Sequence, residues 1–113
     1  FPLSDEELIV VLSNLLDNAF NACMAVSSFE ERKVLLKMRT EEAAGFLYLE
    51  NRTAHDVEIL DNKIVAPKNK SIEHGYGLKN VTAILENINA LYVFDYNSQK
   101  HLFSFSAQFP ISR

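Results

Sequence analysis

LSNLLDNAFNAC, residues 12–23, sets Asn14, Asn18 and Asn21 three or four residues apart among leucines, alanines and a phenylalanine. Read outward, Leu8, Val11, Leu12, Leu15, Ala19, Ala22 and Val26 keep helical spacing, which predicts one helix running to about Val26. Its start is written upstream. Ser4 is a good N-cap, Glu7 stands where a capping box needs its acid, and Leu3 with Leu8 can form the hydrophobic staple. Asp5, Glu6 and Glu7 suit the positive end of the helix dipole. At about 100° per residue the three asparagines share an arc of roughly 60°, centred roughly 120° from the apolar positions. The amides therefore flank the buried face.

The stretches RKVLLKMRT (32–40) and GFLYLENRT (45–53) predict two paired strands with EEAAG turning between them. In the first, Lys33, Lys37 and Arg39 alternate with Val34, Leu36 and Met38, as when one face is wet. In FLYLE both parities are apolar, which places that strand more centrally. Residues 53–74 show no sustained period and hold Pro67, so they read as a long loop. GLKNVTAILENI (77–88) predicts a second amphipathic helix. ALYVFDYN and KHLFSFSAQF close the chain as a hairpin turning at about NSQK. Phe46, Tyr48, Tyr92, Phe94, Phe103 and Phe105 read as sheet and core residues. Strand pairs with every helix on one face make an α/β (α+β) two-layer sandwich.

Composition narrows the function. The chain has 113 residues, 48% hydrophobic and 23% charged, the profile of one globular domain that needs no staple. Its one cysteine, Cys23, excludes an intrachain disulfide and a cysteine metal site, and fits a reducing setting. A net charge of −4 argues against a nucleic-acid binder. No apolar run approaches the roughly 20 residues of a membrane span, and there is no signal-peptide pattern. Opening at Phe1, the chain reads as a piece of a longer protein.

Positive charge is concentrated, however, in Lys63, Lys68, Lys70, His74 and Lys79. That stretch contains HGYGLKNV (74–81), in which Gly75 and Gly77 directly precede the predicted helix. Free N–H groups and the dipole at a helix start favour an anion such as a phosphate. A flexible turn before a helix is the plain alternative for a lone G-x-G. A loop able to fold over a nucleotide, cations for its phosphates and amide oxygens for a hard cation form a consistent set. Mg²⁺ prefers oxygen ligands and keeps much of its water shell.

LSNLLDNAFNAC resembles the N box of the GHKL (Bergerat) ATP-binding fold, shared by sensor histidine kinases, DNA gyrase, MutL and heat-shock chaperone ATPases. HGYGLKNV resembles its second glycine box, in the right order and at a lid-length distance. The wording is most similar to the catalytic domain of quorum-sensing (AgrC-like) kinases, which carry NLLDNA and HG-x-GLKN, and the resemblance covers nearly the whole chain. It implies a mixed, mostly antiparallel sheet with helices on one face, and Mg²⁺ and ATP as ligands. Asn18 would hold Mg²⁺ through its amide oxygen, with Asn14 beside it. Asn14 stands where ATP-hydrolysing relatives keep a glutamate base; a carboxamide cannot take a proton from water, which suits transfer to a histidine. Asn21 would approach the phosphates. Lys68 or Lys70 would reach a phosphate from the lid, and His74, Gly75, Gly77, Leu78 and Lys79 would line the nucleotide.

The first glycine box of most histidine kinases, D-x-G-x-G, is replaced by LYLENRTAHD (47–56), as in the quorum-sensing subgroup. Asn51 falls where the adenine-reading Asp would be, and an amide oxygen is a weaker acceptor than a carboxylate; capping of a strand end is its structural alternative. His55 and His101 lack any context. No histidine sits in a helix like the dimerisation and phospho-acceptor hairpin of these kinases, which is expected before Phe1. The resemblance thus implies ATP, that hairpin and a downstream response regulator as partners, without nucleic acid or direct membrane contact. It also implies a cytoplasmic domain whose parent is membrane-anchored. A degenerate nucleotide-binding or docking module and an anti-sigma-type serine kinase remain the competing readings.

Overall fold

The computed structural model describes residues 1–65 and 73–111, and of 73–76 the backbone alone. In chain order it has helix α1 (Asp5–Met24), a 3-10 turn (Phe29–Glu31), strands β1 (Val34–Thr40), β2 (Ala44–Arg52), β3 (Glu58–Leu60) and β4 (Lys63–Val65), helix α2 (Glu73–Asn87), and strands β5 (Leu91–Asn97) and β6 (Leu102–Pro110). Four strands form one sheet in the order β1-β2-β6-β5, every neighbour antiparallel, and β3 pairs with β4 as a separate hairpin. The helices cover one face. Val11, Leu15 and Ala19 of α1 and Val81 and Leu85 of α2 meet Leu47, Leu49, Phe94, Phe105 and Phe109 in one buried core. This is the expected two-layer α+β sandwich.

The capping box forms as read. Glu7 donates its backbone N–H to Ser4 Oγ at 3.1 Å, and Ser4 N–H reaches Glu7 Oε1 at 2.9 Å. Leu3 is buried and Leu8 packs on the core beside it. The helix ends at Met24, two residues short of Val26. Arg32 then reaches back, donating Nε to Val26 O at 3.0 Å and Nη2 to Met24 O at 3.2 Å. Those carbonyls have no helical partner, so a cation there suits both the bonds and the dipole.

Both ends of α1 are tied to β2. At the start, Pro2 lies across Gly45 so tightly that a Cβ there would fall 2.5 Å from Pro2 Cδ, while Phe1 packs edge-on against Phe109. At the far end, Arg52 N–H donates to Lys33 O at 3.0 Å, just after the Arg32 clasp. The 20 residues of α1 and the 9 of β2 each span about 30 Å. The C-terminal half of α1, with Asn18 and Asn21, therefore lies toward the Asn51 end of β2.

Three details differ from the sequence reading. Leu36 and Met38 share the core-facing parity of Leu49 and Leu47, yet each is more than a third exposed, because β1 is a sheet edge. Phe46 and Tyr48 are not core residues: they lie on the opposite face, Phe46 under the Arg39 guanidinium and Tyr48 donating to Glu50 Oε1 at 2.6 Å. The long loop contains the β3–β4 hairpin, turned by Asp61 and Asn62, both at positive φ. Asn62 also closes the other sheet edge, its Nδ2 donating to Tyr92 O and its Oδ1 accepting from Phe94 N–H, each at 2.8 Å.

Two outcomes follow for stability. Ser4→Ala is expected to cost about 1 kcal/mol in urea unfolding. The Tyr48 hydroxyl, and then Lys33 at 2.9 Å, hold the Glu50 carboxyl below its ordinary 4.5. Its contribution is therefore complete above that value and lost as pH falls through the lowered one. Urea midpoints measured from pH 7 to pH 3 should fall less steeply for Glu50→Gln than for the parent chain.

Candidate functional site

The asparagine stripe is arranged by hydrogen bonds along its own helix. Asn14 donates Nδ2 to Val10 O at 2.8 Å, and Asn18 donates Nδ2 to Asn14 O at 3.0 Å. Only the amide nitrogen can donate, so these bonds fix which way each carboxamide faces. The oxygens are turned off the helix, and among the described residues no donor reaches either of them. Asn14 and Asn18 are half-buried at the flank of the core face; Asn21, a turn further on, is exposed.

Directly opposite lies Gly77. A Cβ at that position would stand 2.9 Å from Asn14 Oδ1 and 3.5 Å from Asn18 Nδ2. The glycine is used for close approach, not for a left-handed turn, since no described glycine has positive φ. This corrects one expectation. The helix starts at Glu73, not at Gly77, so both glycines lie inside it. The N–H groups left without helical acceptors are those of the first turn, about 73–75, and the Gly77 N–H is within the helix. Leu78 packs on the core and Lys79 is exposed. For His74 and Gly75 only the helical backbone is described, while Lys68 and Lys70 lie outside the described residues.

Asn51 sits on the helix-facing side of β2, in a cross-sheet row with Val34, Phe103 and Tyr96. It is 2% exposed, its Nδ2 donates to Arg52 O at 3.1 Å, and its oxygen accepts no hydrogen bond among the described residues. Among the described residues the buried side-chain polar atom left without a partner is the neighbouring Arg52 Nε, so the Asn51 oxygen is unpartnered but not sealed in the core. Beside it Thr53, also buried, joins Tyr96, Asp56 and His101 in a polar cluster. No motif or spacing singles out Thr53, Tyr96 or His101. His101 was expected to have no context, and contact across strands is what supplies one.

Three carboxamide oxygens are thus left as acceptors among the described residues, two on α1 and one on the helix-facing side of β2, and Gly77 of α2 lies against the α1 pair. A model of the GHKL domain family matches residues 3–108. The chain belongs to the GHKL family. No curated protein matches it. GHKL domains bind ATP, typically with Mg²⁺, and membership implies ATP binding and, in general, phosphotransfer. The donor set suits a hard cation, which takes oxygen ligands. Among the described residues no group of three or more His, Cys, Asp or Glu side chains comes together as an alternative metal site.

Gly77→Ala tests the contact between the two helices of this GHKL domain. In a helix interior the exchange ordinarily gains roughly 0.5–1 kcal/mol. Here the methyl group must displace the Asn14 carboxamide from Val10 O. Urea unfolding is expected to show no gain, and the Asn14 side-chain amide signals should shift in a nitrogen–proton NMR spectrum. A full gain with unmoved Asn14 signals would contradict the close approach.

Proposed function

We propose that this GHKL domain is the catalytic domain of a sensor histidine kinase of the quorum-sensing (AgrC-like) type. It binds Mg·ATP and passes the γ-phosphoryl group to a histidine on a separate dimerisation hairpin. The observation that carries this reading is the amide stripe itself: Asn14 and Asn18 keep their oxygens free while their nitrogens are spent on the helix. Bound Mg²⁺ neutralises charge on the phosphate oxygens. Asn18, with Asn14 beside it, would hold the ion, and Asn21 would approach the phosphates. The first turn of α2, with His74, Gly75, Gly77, Leu78 and Lys79, would cradle them, and Lys68 or Lys70 would add charge. The unpartnered oxygen of Asn51 would accept from the adenine amino group.

Asn14 also bears on the outcome of the reaction. A neutral amide cannot activate water, so the bound nucleotide is not hydrolysed efficiently and the phosphoryl group waits for an imidazole. Positioning and charge neutralisation do most of the work of phosphoryl transfer, which needs little covalent participation by the protein. In this reading the histidine acceptor belongs to the parent kinase, which is anchored in the membrane with this domain in the cytoplasm, and a response regulator takes the phosphoryl group onward. No described helix is long and apolar enough to cross a membrane.

Labelled ATP with a histidine hairpin supplied in trans provides the test. Label on the hairpin should be lost in acid and kept in alkali, as for a phosphoramidate. Asn18→Ala should lower transfer at least tenfold with its circular dichroism unchanged. Acid-stable label on a serine would favour the anti-sigma-type kinase. ATP binding without transfer to any hairpin would favour the degenerate module.

A further inference from the structure

Asn51 does not aim itself. Its Nδ2 donates to the carbonyl of Arg52, and that carbonyl belongs to the same planar peptide unit as the Thr53 N–H. The Thr53 N–H donates to His101 O at 2.9 Å. Whatever fixes this plane therefore fixes where the Asn51 oxygen points. Thr53 Oγ1 holds it a second time, donating to the Tyr96 hydroxyl at 3.3 Å, with His101 O at 3.5 Å on the same side.

The Tyr96 hydroxyl is a node of three polar contacts. It donates to Asp56 Oδ1 at 2.9 Å and meets Thr53 Oγ1 and, at 3.4 Å, His101 Nδ1. One donor and two acceptor sites are all a phenol has. Through them it joins the end of β2, the β2–β3 connection and the β5–β6 turn, where His101 takes a left-handed backbone with φ 53.

We propose that Tyr96 is a positioning residue for base recognition: through Thr53 and the Arg52–Thr53 peptide plane it aims the Asn51 oxygen. This rests on the reading of Asn51 as the group that accepts from adenine. In this role Tyr96 acts through Thr53 and needs no contact with the nucleotide. Removing its hydroxyl takes one bond from the Thr53 side chain and one from Asp56; the Thr53 N–H keeps His101 O, but the peptide plane loses its second hold and the acceptor is less well placed. The cost falls on the base and not on the phosphates.

The test is a double-mutant cycle on the whole chain, with Asn51→Ala, Tyr96→Phe and the double variant. Dissociation constants are measured for Mg·ATP and for Mg-bound inorganic triphosphate, which has no base. Tyr96→Phe should weaken ATP about fivefold, the range of one hydrogen bond, and leave triphosphate within twofold. In the Asn51→Ala background it should add nothing further. Asp56→Asn, which keeps an acceptor oxygen, should retain more ATP affinity than Asp56→Ala. If Asn51→Ala weakens ATP and Tyr96→Phe does not, the positioning role is wrong while the reading of Asn51 stands. Equal losses for ATP and triphosphate, or additive losses in the double variant, would also overturn it. An Asn51→Ala chain that binds ATP normally would remove the base reading and the inference with it.

Discussion

Two packed helices come as close as α1 and α2 do at Gly77 only where one of them lacks a side chain. A Cβ there would press on Asn14 Oδ1 at 2.9 Å, so the missing atom sets how near the glycine-bearing helix can lie to the amide stripe. The carboxamides contribute their own constraint. Each spends its NH₂ group on a carbonyl four residues back, which leaves oxygen as the atom available to a ligand. The chemistry of the site rests on these two conditions: close approach without steric bulk, and acceptors that the fold itself does not consume.

The sheet holds these parts in register. Pro2 over Gly45 and Arg32 over the helix end tie α1 to β2 at both ends, which brings the later asparagines of the helix toward Asn51. Asn62 occupies the β5 edge with both halves of its amide, so the β3–β4 hairpin docks where an open strand edge would otherwise invite pairing with another chain. Amides thus serve this domain in two ways. Asn62 is satisfied on both sides and is structural, whereas Asn14, Asn18 and Asn51 are each half-satisfied.

Much of this was legible in the sequence because it is local. The capping box is spelled by Ser4 and Glu7, the amide stripe by helical spacing, and the strand pairs by alternation. Residues three or four apart in a helix must be neighbours, so no tertiary information is needed. The extra turn at the start of α2 is not legible because Gly75 and Gly77 read as the residues that precede the helix, whereas packing against α1 makes the absence of Cβ at Gly77 an advantage within it. The β3–β4 hairpin was missed because three-residue strands are too short for a period; its one signal was the Asp61–Asn62 pair, residues suited to a turn at positive φ. Exposure of Leu36 and Met38 depends on β1 being an edge, which alternation within one strand cannot reveal. The cluster of Thr53, Tyr96 and His101 joins residues more than forty positions apart, and only the strand register brings them together.

Titration calorimetry of the unmodified chain with ATP, in the presence and absence of Mg²⁺, tests the central claim most directly. Unpartnered carboxamide oxygens beside a glycine-bearing helix start should give saturable binding that Mg²⁺ strengthens at least tenfold. A folded chain that releases no heat at millimolar ATP, or binds equally well without the metal, would contradict the account of the amide stripe as the seat of a metal-bound triphosphate.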